Sequence, residues 1–224
     1  MKQIKAIIFD MDGVVVDSEP HHERAFRAVL EEMGYGDNHG MDFTAYYGRS
    51  DETLWLDFIA KHRPVQNLAE LVEWKQSRLL KMLEEEEPVF AEIPGLVEKL
   101  AGRYRLAIAS GSTHAVINVV LKMRNLRRFF PVVVSSEDVA QGKPAPDVFL
   151  RAAEMLKVAP EAICVVEDAE AGVEAALAAG MTVIGITNSL PAGRLARATK
   201  VVKTYQEMEH LLLSPGERTA PSQG

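Results

Sequence analysis

Six short apolar runs constrain this 224-residue chain more than any other feature of its sequence. They lie at residues 4–9, 105–110, 132–135, 162–167, 182–186 and, more weakly, 200–202. Most are continuous rather than alternating, the pattern of strands covered on both faces. Stretches of helical spacing stand between them, at 94–101, 113–125, 146–156, 169–179 and 205–213. Strand alternating with helix implies an α/β protein with a mostly parallel sheet and right-handed crossovers. Sites in such sheets gather beyond the carboxyl ends of the strands. Asp10, Ser110 and the Glu167–Asp168 pair all fall at such ends.

The region 16–90 breaks this rhythm. It has no convincing strand but several helical stretches. One opens at Ser18, with Pro20 in its first turn, and sets Phe26, Val29, Leu30 and Met33 on one stripe before Gly34 ends it. Others fall at 41–46, 52–62 and 68–83. The expectation is an all-helical domain at 16–90 inserted into an α/β core made of 1–15 and 91–213. The crossings near 15–18 and 88–94 would then be the hinges of a lid. The acidic run 84–87 reads as a solvated helix end, and residues 214–224, rich in Pro, Gly, Ser and Thr, as a flexible tail.

Composition narrows the function classes. A net charge of −7 argues against nucleic acid as the main partner, since such binding rests on clustered Lys and Arg. The single cysteine, Cys164, lies inside an apolar run and reads as buried strand filler. The N-terminal apolar run is too short and wrongly flanked for a signal peptide or a membrane helix. A cytoplasmic protein without a membrane partner is expected. Trp55 and Trp74 read as packing residues of amphipathic helices, and Arg124, Arg127 and Arg128 as a basic helix end.

The chemistry starts at FDMDG, residues 9–13. Asp10 and Asp12 are two residues apart, so both point the same way off an extended segment. That is costly unless a cation or a proton shares the site. Carboxylates suit a hard cation such as Mg²⁺, which keeps waters and shares a substrate phosphate. Read singly, each residue has a blander meaning. Asp10 and Asp12 could form a turn, Ser110 could cap a helix, Lys143 could be solvated surface, and His22 could be an exposed first-turn residue.

Four segments in order change that balance: FDMDGVVVDSE, ASGST at 109–113, GKPAPDVF at 142–149 and VVEDAEAGVEAALAAGM at 165–181. They resemble the motifs of the haloacid dehalogenase (HAD) superfamily, in the branch that carries a helical cap after the first motif and includes beta-phosphoglucomutase and many phosphatases. The resemblance implies a Rossmannoid core, its central parallel sheet flanked by helices, plus an inserted all-helical cap. It also implies roles. Asp10 would be the nucleophile that becomes an aspartyl-phosphate, and Asp12 the general acid/base. Mg²⁺ would be held by Asp10, Asp168 and the backbone carbonyl of Asp12, with Glu167 beside them. Ser110, helped by the amides of Gly111 and Ser112, would hold phosphoryl oxygens, and Lys143 would place a point charge between Asp10 and the phosphate. His22, Ser50 and Lys75 would meet the substrate from the cap.

The implied activity is Mg²⁺-dependent hydrolysis of a small phosphate monoester, a sugar or polyol phosphate, by a monomer acting on a phosphorylated metabolite. Alternatives are beta-phosphoglucomutase-like isomerisation and pyrophosphate hydrolysis. Dehalogenase members generally lack the second aspartate, and Asp12 is present. The segment Tyr47-Gly48-Arg49-Ser50-Asp51-Glu52 departs from the mutase pattern, in which the gripping arginine follows the serine. Asp51 stands there instead, which favours the phosphatase.

Overall fold

A computed structural model describes residues 4–46 and 51–214. Six strands form one parallel sheet: β1 (Ala6–Phe9), β2 (Arg105–Ala109), β3 (Val132–Val134), β4 (Ile163–Glu167), β5 (Thr182–Ile186) and β6 (Lys200–Val202). Their order is β3-β2-β1-β4-β5-β6. The chain therefore reverses its direction of travel across the sheet between β1 and β4, and a crevice opens beyond the carboxyl ends of those two strands. Phe9 pairs with Val166, so Asp10 and Glu167 leave the sheet side by side.

Continuous apolar strands bury both faces. Ile7 and Phe9 point into one core cluster with Ile108, Val166 and Ile184. Ala6 and Ile8 point into another with Ala107, Val165 and Val183. The first cluster is covered by α4 (Ile93–Ala101), α5 (His114–Lys122) and α8 (Tyr205–Leu213), the second by α6 (Asp147–Leu156) and α7 (Glu170–Ala178). Among the described residues, no helix is long and apolar enough to cross a membrane.

Between β1 and β2 lie three longer helices: α1 (Glu19–Glu32), α2 (Asp51–His62) and α3 (Leu68–Glu86). They share a separate core of Phe26, Val29, Leu30, Phe43, Leu54, Trp55, Phe58 and Leu71. The expected stripe of α1 supplies three of these, while Met33 is only partly buried against them. Trp55 is fully buried and Trp74 packs against the same cluster, as the amphipathic pattern required. Ala25, Leu79 and Leu83 join the core below, so α1 and α3 are the helices that seat this layer on the sheet. The two crossings run together: Val16 bridges Val89, and the Phe90 amide donates to the Val15 carbonyl at 3.2 Å.

Several boundaries moved. Instead of running to Asn125, α5 ends at Lys122 and a 3-10 stretch follows from Met123 to Phe129. Arg124 and Asn125 adopt left-handed backbone there, φ 49° and 56°, which breaks the helix without glycine or proline. The helix expected at 41–46 is a 3-10 turn, Phe43–Tyr46. Glu86, expected to be merely solvated, takes Arg24 bidentately at 3.0 and 2.7 Å and His21 at 2.9 Å. Ser50 and the tail beyond Ser214 lie outside the described residues.

Candidate active site

At the β1–β4 crevice, Asp10, Glu167 and Asp168 are buried with ligand oxygens within 4.8 Å of one another. Lys143 enters from the loop before α6. Its ammonium is 2.6 Å from Asp10 Oδ1 and 2.5 Å from Glu167 Oε1 and stands over the Phe149 ring. Glu167 Oε2 accepts from the amides of Asp168 and Ala169 at 2.8 and 2.9 Å. Both oxygens of Glu167 are thus engaged, and its carboxylate works as a brace for Lys143 and the start of α7.

One ammonium among three carboxylates leaves excess negative charge. Burial first, then Glu167 and Asp12, push the Asp10 carboxyl up to about 8 against the pull of Lys143. Burial and the charges of Glu167 and Asp10 raise Asp168 well above the carboxylate range. Lys143 is held charged: its burial opposes this, and Asp10 and Glu167 outweigh it. The donor set is all oxygen, buried and under-neutralised, which fits a hard divalent cation. Two glycines make the room. A Cβ on Gly13 would sit 1.8 Å from Asp168 Oδ2, and one on Gly172 would sit 1.6 Å from Glu167 Oε1.

Asp12 turns its side chain away from this trio. Ser18 donates to its Oδ1 at 2.5 Å, and Ser112 to its Oδ2 at 2.7 Å. Ser110 Oγ lies 3.3 Å from Oδ2 and accepts the Ser112 amide at 3.0 Å. His22 Nε2 approaches Oδ1 at 3.6 Å. Burial raises the Asp12 carboxyl, but His22, then Ser18 and Ser112, outweigh it and hold it well below the usual range. By its spacing Ser18 reads as a helix start. Its backbone is helical rather than extended and its hydroxyl makes no cap bond, because the buried carboxylate claims it.

From the cap side, Lys75 is fully buried and bonded to both Asp51 oxygens, at 2.8 and 2.7 Å, and to His22 Nδ1 at 2.7 Å. An ammonium can meet Nδ1 only as a bare nitrogen, so in this contact the ring carries its proton on Nε2, facing Asp12. Burial and the Lys75 charge push His22 down, yet Asp12 and Asp51 outweigh both and lift it to about 9. When the ring takes a second proton, Nδ1–H has Asp51 Oδ1 at 3.5 Å. Asp12, His22, Lys75 and Asp51 form one chain of charge from core to cap. Asp51 was legible only as a misfit in the cap segment.

A cavity of about 580 Å³ joins these groups, lined by Asp10, Asp12, His22, Gly111, Ser112 and Lys143 among others. Lys75 stands behind its wall, and Ser110 is fully buried beneath it. Gln76 Nε2 donates to Thr113 Oγ1 at 3.0 Å across the cavity, tying α3 to the turn before α5.

The sequence pattern of haloacid dehalogenase-like hydrolases matches residues 4–180. The chain belongs to the haloacid dehalogenase-like hydrolase family. It is 31% identical over 194 residues to a phosphorylated carbohydrates phosphatase of Thermotoga maritima, covering 85% of this chain and 89% of that one. It is 33% identical over 186 residues to the fructose-1-phosphate phosphatase YqaB of Escherichia coli, covering 80% and 95%. The solved structure of CbbY from Rhodobacter sphaeroides in complex with phosphate superposes with a TM-score of 0.80 at 23% identity, over 92% of this chain and 96% of that one. That likeness carries the fold, a HAD core with its helical cap.

Proposed function

We propose that this HAD hydrolase is a Mg²⁺-dependent phosphatase that cleaves a small sugar or polyol phosphate through an aspartyl-phosphate on Asp10. The observation that carries the reading is the division of labour between two neighbouring aspartates. Asp10 sits among carboxylates and Lys143, where a phosphoryl group can be received. Asp12 is held apart by hydroxyls and His22, where protons can be moved. Phosphatase relatives that align over 80% or more of this chain support it.

Asp10, Asp168 and the backbone carbonyl of Asp12 would hold Mg²⁺, which supplies charge neutralisation for the phosphoryl oxygens when bound. Lys143 pulls Asp10 toward its ionised form against the burial that raises it, and attracts the phosphate. Asp10 Oδ attacks phosphorus, and the bond from phosphorus to the alcohol oxygen breaks. Asp12 gives that oxygen a proton. His22, Ser18 and Ser112 favour the ionised Asp12 beforehand, and the His22 ring, 3.6 Å away, would hand it the proton. Asp12 then takes a proton from water, whose oxygen attacks phosphorus and releases phosphate and Asp10. Ser110 and the amide of Gly111 would hold the phosphoryl oxygens, and the inserted helices at 16–90 would close over the ester.

Incubation with a panel of phosphate esters and pyrophosphate, with and without Mg²⁺, tests the reading. Phosphate release from a sugar or polyol monoester, dependent on Mg²⁺ and lost by more than about a thousandfold in Asp10→Asn, is expected. Isomerisation of beta-glucose 1-phosphate with little free phosphate would replace it with the mutase reading. Undiminished turnover in Asp10→Asn would remove Asp10 as nucleophile.

A further inference from the structure

The two ends of the cavity differ in where a lysine faces it. The core end holds Lys143 and the carboxylates that surround it. The cap end is walled by Glu23, Asp51 and Glu52, with Phe26, Leu54 and Val72 between them. Among the described residues, Lys143 is the one Lys or Arg that lines the cavity at all. The nearest cap cation, Lys75, is withdrawn behind the wall. Asp51 takes it through both oxygens, His22 takes it at 2.7 Å, and the Phe26 ring covers it at 4.6 Å from the centroid. Glu23 is held by Arg27 at 2.8 Å from the solvent side, which fixes its carboxylate without bringing the guanidinium into the cavity.

An ester whose phosphate lies against Lys143 and Asp10 must place its alcohol part against this wall. A neutral alcohol meets carboxylate acceptors for its hydroxyls and apolar side chains for its carbon skeleton. An amine gains further, as a cation beside anions. A second phosphate or a carboxylate meets like charge at this wall, a costly juxtaposition.

We infer that the cap end selects substrates by charge: the enzyme accepts monoesters of neutral or amine-bearing alcohols and rejects esters that carry a second anionic group. Asp51 is the specificity-determining residue, because it stands in the wall and holds Lys75, the buried lysine among the described cap residues, away from any anion. This inference rests on the phosphatase reading above.

Matched pairs test it: fructose 1-phosphate against fructose 1,6-bisphosphate, glucose 6-phosphate against 6-phosphogluconate, and glucose 6-phosphate against glucosamine 6-phosphate. The doubly anionic member of each of the first two pairs is expected to show kcat/KM lower by roughly tenfold or more, and glucosamine 6-phosphate to match or exceed its neutral partner. Asp51→Asn removes one wall charge and frees Lys75, so it should narrow the first two gaps by roughly threefold or more, chiefly through KM. Should circular dichroism show that variant unfolded, Glu52→Gln serves instead, with the same direction expected. Equal kcat/KM within the pairs, or a gap unmoved in a folded variant, overturns charge selection alone. Hydrolysis of no ester in the panel overturns the phosphatase reading, and charge selection with it.

Discussion

Gly172 occupies the third position of α7, where alanine would be the better helix former, yet a Cβ there would fall 1.6 Å from Glu167 Oε1. The glycine keeps Glu167 against Lys143 and the amides of Asp168 and Ala169. Gly172→Ala should therefore leave the fold intact but move Glu167, weakening Mg²⁺ activation by roughly 10–100-fold. Titration of activity with Mg²⁺ checks this, and an unchanged half-saturation would show that Glu167 has room to move. Cys164 gives a contrasting case, because burial pushes its thiol up to about 12. The unfolded thiol ionises near about 8.5. Native protein should resist iodoacetamide near pH 9, and denatured protein should react at once. A raised thiol costs stability only above the unfolded value, so Cys164→Ala should flatten the loss of stability from about pH 8.5 upward, alongside a pH-independent packing loss from the emptied core position.

At the level of elements, α8 is joined to the loop after β1 by one hydroxyl. Tyr205 donates to the Val14 carbonyl at 2.8 Å and receives Asn188 Nδ2 at 2.8 Å, while that amide also reaches the Gly13 carbonyl at 2.7 Å. Tyr205→Phe would leave the Val14 carbonyl unpartnered, at a cost of about 1–3 kcal/mol. Chemical denaturation measures the loss, and a change below about 0.5 kcal/mol would mean that water replaces the bond. Such couplings explain what could be read from the chain in advance. Strands were legible because each is a continuous apolar run, and α1 because its stripe repeats at helical spacing. Asp10, Glu167 and Asp168 were legible because strand ends fix where they emerge. The kink at Arg124–Asn125 was not, since it needs left-handed backbone at residues that do not announce it. Nor were Ser18 on Asp12, Asp51 on Lys75 or Tyr205 on Val14, because tertiary packing alone brings these partners together and no local spacing encodes it.

The whole molecule is organised around charge that the protein alone does not balance, and this makes its stability depend on pH and metal together. Asp10 and Asp168 both hold their protons more tightly in the folded state than carboxyls do in an unfolded chain, Asp10 up to about 8. The folded protein therefore binds more protons than the unfolded chain between about pH 4 and pH 8. The stability these groups permit is fully present below about pH 4 and is lost as pH rises toward about 8. A divalent cation takes the place of those protons, so it should stabilise more where they are absent. Saturating Mg²⁺ should raise Tm by several degrees near pH 8, roughly 5–10 °C at a hundredfold excess over Kd, and by much less near pH 5. Asp168→Asn should shrink the gain and also remove part of the pH dependence seen without metal, because one of the crowded carboxylates is gone. A Mg²⁺ gain equal at both pH values would place the cation away from Asp10 and Asp168, and the charge balance of the crevice would then have to come from Lys143 alone.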